Sequence, residues 1–173
     1  MTKYLALLRG INVGGRIIKM ADLKLFCEDI GLKNVKTVLQ TGNVLFESPL
    51  TAAELKRQLE PSLTEAFKYS AKVQVYDLVQ VVRIVKDFPL QVGEPGIHHY
   101  VVFTEHGLTA ELSEAGYKVD EEIESIQIVG EVVYWNVQKG MTLKSGFAKT
   151  LNKSSYKDRQ TVRNIKTLQK LIN

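Results

Sequence analysis

The chain has 173 residues, 45% hydrophobic and 24% charged, which permits a globular core and sets aside disordered and fibrous classes. No apolar run approaches the roughly 20 residues of a membrane-spanning helix. The lone Cys27 excludes an internal disulfide. Together with the absence of an export signal (Arg9 cuts short the apolar Tyr4–Leu8 patch), it points to the reducing cytoplasm.

The net charge of +4 is unevenly spread. Residues 1–76 carry +4, residues 77–130 carry −7, and residues 131–173, with nine basic and two acidic side chains, carry +7. Such asymmetry draws an anionic partner toward the C-terminal end. An acidic middle and a basic end that face each other or water satisfy the same pattern.

Thr2 to Arg9 reads as a strand covered on both faces, and it runs into the loop RGINVGG. Met20, Leu23, Phe26, Cys27 and Ile30 then recur at helical spacing, with Gly31 where a helix commonly stops. Val35–Gln40 and Val44–Ser48 flank Thr41-Gly42-Asn43, a hairpin signal. Thr51 and Glu54 have the spacing of a capping box. The helix they open buries Leu55, Leu59, Leu63 and Phe67, with a kink or break expected at Pro61. Val73–Tyr76 completes β-α-β-β-α-β, the ferredoxin-like order. The fold class is therefore α+β with two small subdomains, residues 1–77 ferredoxin-like and residues 78–173 a second α+β unit.

The second half is less regular. Leu78, Val81, Val82 and Val85 give a helix capped by Asp77 and ended by Phe88-Pro89, with a link over Gln91–Gly96. Ile97–Thr104 reads as a strand and Thr109–Ala115 as a short helix. Ile123–Val129 and Val132–Gln138 form a second hairpin around Gly130-Glu131. A basic, serine-rich stretch follows, then a final helix from Thr161. On that helix Ile165, Leu168, Leu171 and Ile172 share one face, and Arg163, Lys166 and Lys170 the other.

RGINVGG is the first candidate for chemistry. Its glycines let backbone N–H groups turn inward beside a helix N-terminus, and Arg9 offers a fork for phosphate or carboxylate. It lacks the Lys-Ser/Thr of a P-loop and the spacing of a dinucleotide fingerprint, and a tight β-to-α connection also needs positive φ at Gly10, Gly14 or Gly15. The second candidate is the basic C-terminal segment. Lys144, Lys149, Lys153, Lys157 and Arg159 interleave with Phe147 and Tyr156, a mixture suited to single-stranded nucleic acid. His98 and His99 point to opposite faces of a strand, so no shared metal is expected of them. Cys27 reads as a core residue, the run Asp120, Glu121, Glu122 and Glu124 as a solvated loop, and one of Tyr134 and Trp135 as core.

Three segments also carry a family resemblance: YLALLRGINVGG at 4–15, KTVLQTGNVLFES at 36–48 and TVRNIKTLQKL at 161–171. Over essentially its whole length the chain resembles the bacterial domain of unknown function 1697 family. Such proteins usually close on Thr-x-Arg-Asn-Trp-x-Thr, where Ile165 here takes the tryptophan position, and Thr41 stands where their middle turn usually has serine. The resemblance implies two α+β subdomains, the first ferredoxin-like. It places Arg9, Gly10, Asn12, Gly14, Gly15, Gly42, Asn43, Arg163 and Asn164 in family-like segments. The leading expectation is an anion-binding protein that holds a phosphate-bearing metabolite, nucleotide or nucleic acid between the glycine loop and Arg163. An enzyme acting on a small substrate without a recognisable catalytic motif is one alternative. A self-associating interaction module is the other. No cofactor, metal or membrane contact is called for.

Overall fold

Alternation along one strand sets the layers of the first half. In β1 (Thr2–Arg9), Tyr4, Ala6 and Leu8 join a core shared with two helices, while Leu5 and Leu7 point the other way; all five are buried. The helices are α1 (Met20–Asp29), which contributes Leu23 and Cys27, and α2 (Ala52–Phe67), which contributes Leu55, Leu59 and Leu63. β2 (Lys33–Val38), β3 (Asn43–Ser48) and β4 (Lys72–Asp77) complete an antiparallel sheet in the order β2-β3-β1-β4. This is the ferredoxin-like arrangement.

The computed structural model describes residues 1–89 and 92–173, and these divide into two units, Met1–Val82 and Arg83–Asn173. The division falls within α3 (Leu78–Lys86), whereas the sequence suggested a boundary just before that helix. Gln91, the first residue of the expected link, lies outside the described residues. Among the described residues no helix is long and apolar enough to cross a membrane.

The second unit repeats the plan of the first. β5 (Ile97–Thr104), α4 (Leu108–Ala115), β6 (Glu124–Val129), β7 (Val132–Gln138), α5 (Gly146–Leu151) and β8 (Gln160–Asn164) again give β-α-β-β-α-β. The sheet order is β6-β7-β5-β8, so each strand takes the place of its counterpart in the first sheet. The likeness reaches one element further. β4 passes directly into α3 and β8 directly into α6 (Ile165–Ile172), and in both an Asx side chain caps the turn. The Val79 N–H donates to Asp77 Oδ1 at 2.7 Å and the Lys166 N–H to Asn164 Oδ1 at 2.9 Å.

Four expectations are corrected. The final helix starts at Ile165 rather than Thr161, because residues 160–164 pair with Thr104–Tyr100 of β5; Lys166 and Lys170 are helical as expected, whereas Arg163 is a strand residue. The helix α2 runs unbroken through Pro61, which sits on its exposed side, where the carbonyl that a proline cannot pair is open to solvent rather than buried in the core. Tyr134 and Trp135 are both core: Trp135 packs with Phe147 on the helix side of the sheet, and Tyr134 packs with Phe88 on the other. Glu124 is not part of a solvated loop. It is buried and accepts hydrogen bonds from Trp135 Nε1 (2.9 Å), the Phe147 N–H (3.1 Å) and the Asp120 N–H (3.1 Å).

Candidate functional site

The two N-terminal segments that carry the family resemblance interlock within the first unit. Asn12 Nδ2 donates to the Gln40 carbonyl at 2.6 Å, and Asn12 Oδ1 accepts from the Ile18 N–H at 2.9 Å. One side chain thereby ties the β1–α1 loop to the β2–β3 turn and to its own far end. The Leu8 N–H donates to the Gly42 carbonyl at 2.8 Å. Asn43 is fully buried, and its Nδ2 donates to the Val38 carbonyl (2.9 Å) and to Thr41 Oγ1 (2.8 Å). Ile11 and Ile18 anchor the loop in the core, while Val13 and Ile17 stand exposed.

Gly10, Gly14 and Gly15 have φ of +66°, +68° and +80°, and a Cβ at any of them meets no atom within 4 Å. Their requirement is conformational, and the backbone around them is open to solvent. At the end of the loop Lys19 caps α1 without a side-chain hydrogen bond. Arg9 closes β1 in register with Lys72. The guanidinium of Arg16 lies 5.0 Å from the centre of the Tyr69 ring, a cation–π contact.

Arg163 and Asn164 belong to the second unit. Arg163 is a buried strand residue that points to the same side of the sheet as Val101, and its Nη1 donates to Thr161 Oγ1 (2.7 Å) and the Val162 carbonyl (2.9 Å). Asn164 is the α6 cap. The basic stretch ahead of them is partly neutralised. Arg159 forks onto Glu111 at 2.7 Å through both terminal nitrogens and reaches Glu105 through Nε at 2.8 Å. Those contacts hold the Glu111 carboxyl below its ordinary range, the Arg159 hydrogen bond being the largest cause. Phe147 is fully buried and Tyr156 half-buried against the core, so neither is an open stacking surface.

What remains of that stretch frames a cleft of about 640 Å³ in the second unit. Lys118 and Tyr117 line it from the segment after α4, and Lys149, Thr150 and Lys153 from α5 and the turn beyond. Among the described residues the lining holds three lysines and no carboxylate. Gly146 sets its width: a Cβ there meets the Lys118 carbonyl oxygen at 2.9 Å, so only glycine lets this segment lie against the start of α5. Sequence reading had singled out Lys149 and Lys153 but missed Tyr117 and Lys118. A signal was available, since Lys118 is the lone cation between Lys86 and Lys139.

Burial pushes three groups up to about 12: the Cys27 thiol, and the Tyr69 and Tyr134 phenols. None of them lines the cleft. Each stays neutral in the folded chain at a pH where the unfolded chain has lost its proton, which starts near 9.0 for the thiol and 10.0 for the phenols. Stability from these groups is thus fully present below about pH 9 and is lost as pH rises toward 12. The expected slope is about 1.4 kcal/mol per pH unit for each group once its unfolded form is ionised. Urea midpoints measured from pH 8 to 11 check this, and a midpoint that stays flat refutes it. Among the described residues no group of three or more His, Cys, Asp or Glu is placed to hold a metal ion.

No curated protein matches the chain. Among solved structures it is similar to the conserved bacterial protein SP0830 from Streptococcus pneumoniae, with 24% identity and a TM-score of 0.81 over 99% of this chain and 97% of that one. At that identity the likeness speaks for the fold alone. The sequence profile described as "Protein of unknown function (DUF1697)" matches residues 1–134, which include both interlocked segments. The chain belongs to the DUF1697 family.

Proposed function

We propose that this is a cytoplasmic anion-binding protein whose ligand carries phosphate, held in the lysine-lined cleft of the second unit. The observation that carries the reading is the convergence of Lys118, Lys149 and Lys153 on one concavity, the latter two from residues 131–173, which carry a net charge of +7. Ammonium groups suit phosphate as point charges, and the volume lies within the 300–1,000 Å³ range of small-molecule sites. The cleft contains no paired acid and base, so binding is favoured over catalysis.

Titration of inorganic pyrophosphate into the wild-type chain at 20 mM and 200 mM salt tests the reading. Binding should weaken with salt, because neutralising phosphate with lysine releases counterions. Lys149→Ala/Lys153→Ala should weaken it about tenfold or more, since hydrogen bonds to charged groups contribute about 1.5–3 kcal/mol each. Absence of any saturable, salt-sensitive binding rejects the proposal.

A second reading places the anion at the glycine loop of the first unit. It is favoured by three exposed left-handed glycines followed by an α1 start without a side-chain cap. The same titration separates the two, because a loop site is indifferent to the lysine substitutions and sensitive to Gly14→Ala. Self-association through unlike charges is a further reading of partners. Light scattering at the same two salt concentrations decides it, and a monomer at both rejects it.

A further inference from the structure

Tyr117 adds to the cleft something that lysines do not supply. The residue is 36% exposed and lines the cleft, yet its ring is braced edge-to-face on Phe147, with ring centroids 5.9 Å apart and planes at 74°. Phe147 is fully buried and packs on Trp135, again edge-to-face at 5.5 Å, so the brace is part of the core. The backbone behind Tyr117 is fixed as well, since the Lys118 carbonyl abuts Gly146. A lone exposed tyrosine is mobile. This one is held in place before any ligand arrives, with ring surface left on a concavity of about 640 Å³.

Beside it lie the three ammonium groups, with Lys149 and Lys153 four residues apart. Lys149 stands on α5 and Lys153 in the turn just beyond it, where its N–H donates to the Thr150 carbonyl at 3.1 Å, and both line the same cleft. None of the three lysines is ion-paired with a carboxylate among the described residues.

We infer that the cleft takes a nucleoside phosphate, with its base stacked on Tyr117 and its phosphates on Lys118, Lys149 and Lys153. The inference rests on the phosphate reading above and adds the base. Stacking on an aromatic side chain tolerates any base, because every base has a π-face. Discrimination among the four bases is accordingly expected to be small. The same chemistry is presented by a free nucleotide and by the end of a single strand, and the two are separated by experiment.

Calorimetric titrations of the wild-type chain with pyrophosphate, ADP and an eight-residue oligothymidylate, repeated for Tyr117→Ala and Tyr117→Phe, test it. ADP should bind about tenfold more tightly than pyrophosphate. That gain should vanish in Tyr117→Ala and survive in Tyr117→Phe, while pyrophosphate binding stays unchanged in both. Emission from Trp135, the single tryptophan, should remain that of the wild type and confirms the fold. Equal affinity for ADP and pyrophosphate overturns the inference while leaving phosphate binding intact. Absence of binding to all three probes overturns both. A Tyr117-dependent gain for the oligothymidylate that exceeds the gain for ADP supports the inference and assigns the ligand to single-stranded nucleic acid.

Discussion

Gly42→Ala should destabilise the first unit by about 3 kcal/mol, far more than the same change at Gly14. Two costs combine at Gly42. Its φ of +75° lies in the left-handed region, which costs an alanine roughly 1–2 kcal/mol. Its Cβ would also lie 2.9 Å from Leu8 Cβ and 3.1 Å from Ile11 Cγ2. Both neighbours are core residues, 3% exposed, and neither is the free end of a flexible chain, so relief requires the β1–α1 loop to move away from the turn. Overpacking of this kind costs typically 1–3 kcal/mol. Gly14 has a similar φ of +68° but open space around its Cβ, which leaves only the conformational cost of about 1 kcal/mol.

The pair therefore separates close approach from backbone strain within one unit. Cys27, the single cysteine, is buried in that unit with its thiol held protonated, so it should resist thiol reagents at pH 8 until the unit opens. Its labelling rate in increasing urea reads the stability directly. Equal rates for Gly42→Ala and Gly14→Ala would show that the turn can retreat from Leu8 without cost.

The first unit was legible because each of its elements carries its own local signal. The capping box forms as the spacing of Thr51 and Glu54 implied, with the Thr51 N–H and Glu54 Oε2 2.8 Å apart. The second unit hid its ferredoxin-like plan for two reasons. Its α5 has only six residues, too few to show a helical period, and it is held instead by Ser145 and Glu124 at its start. Its β8 is five residues long and runs straight into α6, so Thr161–Asn164 read as the first turn of the helix. Long-range pairing with β5 decides that segment, and no short window of sequence contains it. The candidate site divides in the same way. Asn12, Gly42 and Asn43 were visible as unusual loop residues, but Asn12 and Gly42 tie the β1–α1 segment to the β2–β3 turn, and Asn43 braces that turn from within. Tyr117 and Lys118 sit about thirty residues from Lys149 in sequence, and only the close packing at Gly146 makes them neighbours.

Glu124→Ala should cost the second unit about 4 kcal/mol, because one buried carboxylate satisfies three donors at once. Trp135 Nε1 binds Oε2, while the N–H groups of Phe147 and Asp120 share Oε1. Each donor left without a partner in a buried setting costs about 1–3 kcal/mol, and total stabilities are typically 5–15 kcal/mol. Phe147 lies in the first turn of α5, where Ser145 Oγ accepts from the Ala148 N–H at 3.0 Å. Glu124 thus supplies the negative partner at the start of that helix, so this end of α5 is already occupied by the protein's own anion. An external phosphate must be held by the lysines further along. Glu124→Gln keeps the shape, but whichever way its amide turns, an NH2 group faces a donor, and a loss of about 2 kcal/mol is expected. Urea midpoints followed by Trp135 emission measure both losses, and values within about 0.5 kcal/mol of wild type, the range of ordinary surface changes, refute the assignment. The Gln variant also links the fold to the proposed function. It alters no residue lining the cleft, yet it loosens the start of α5 on which Lys149 stands, so pyrophosphate affinity should fall with salt dependence retained.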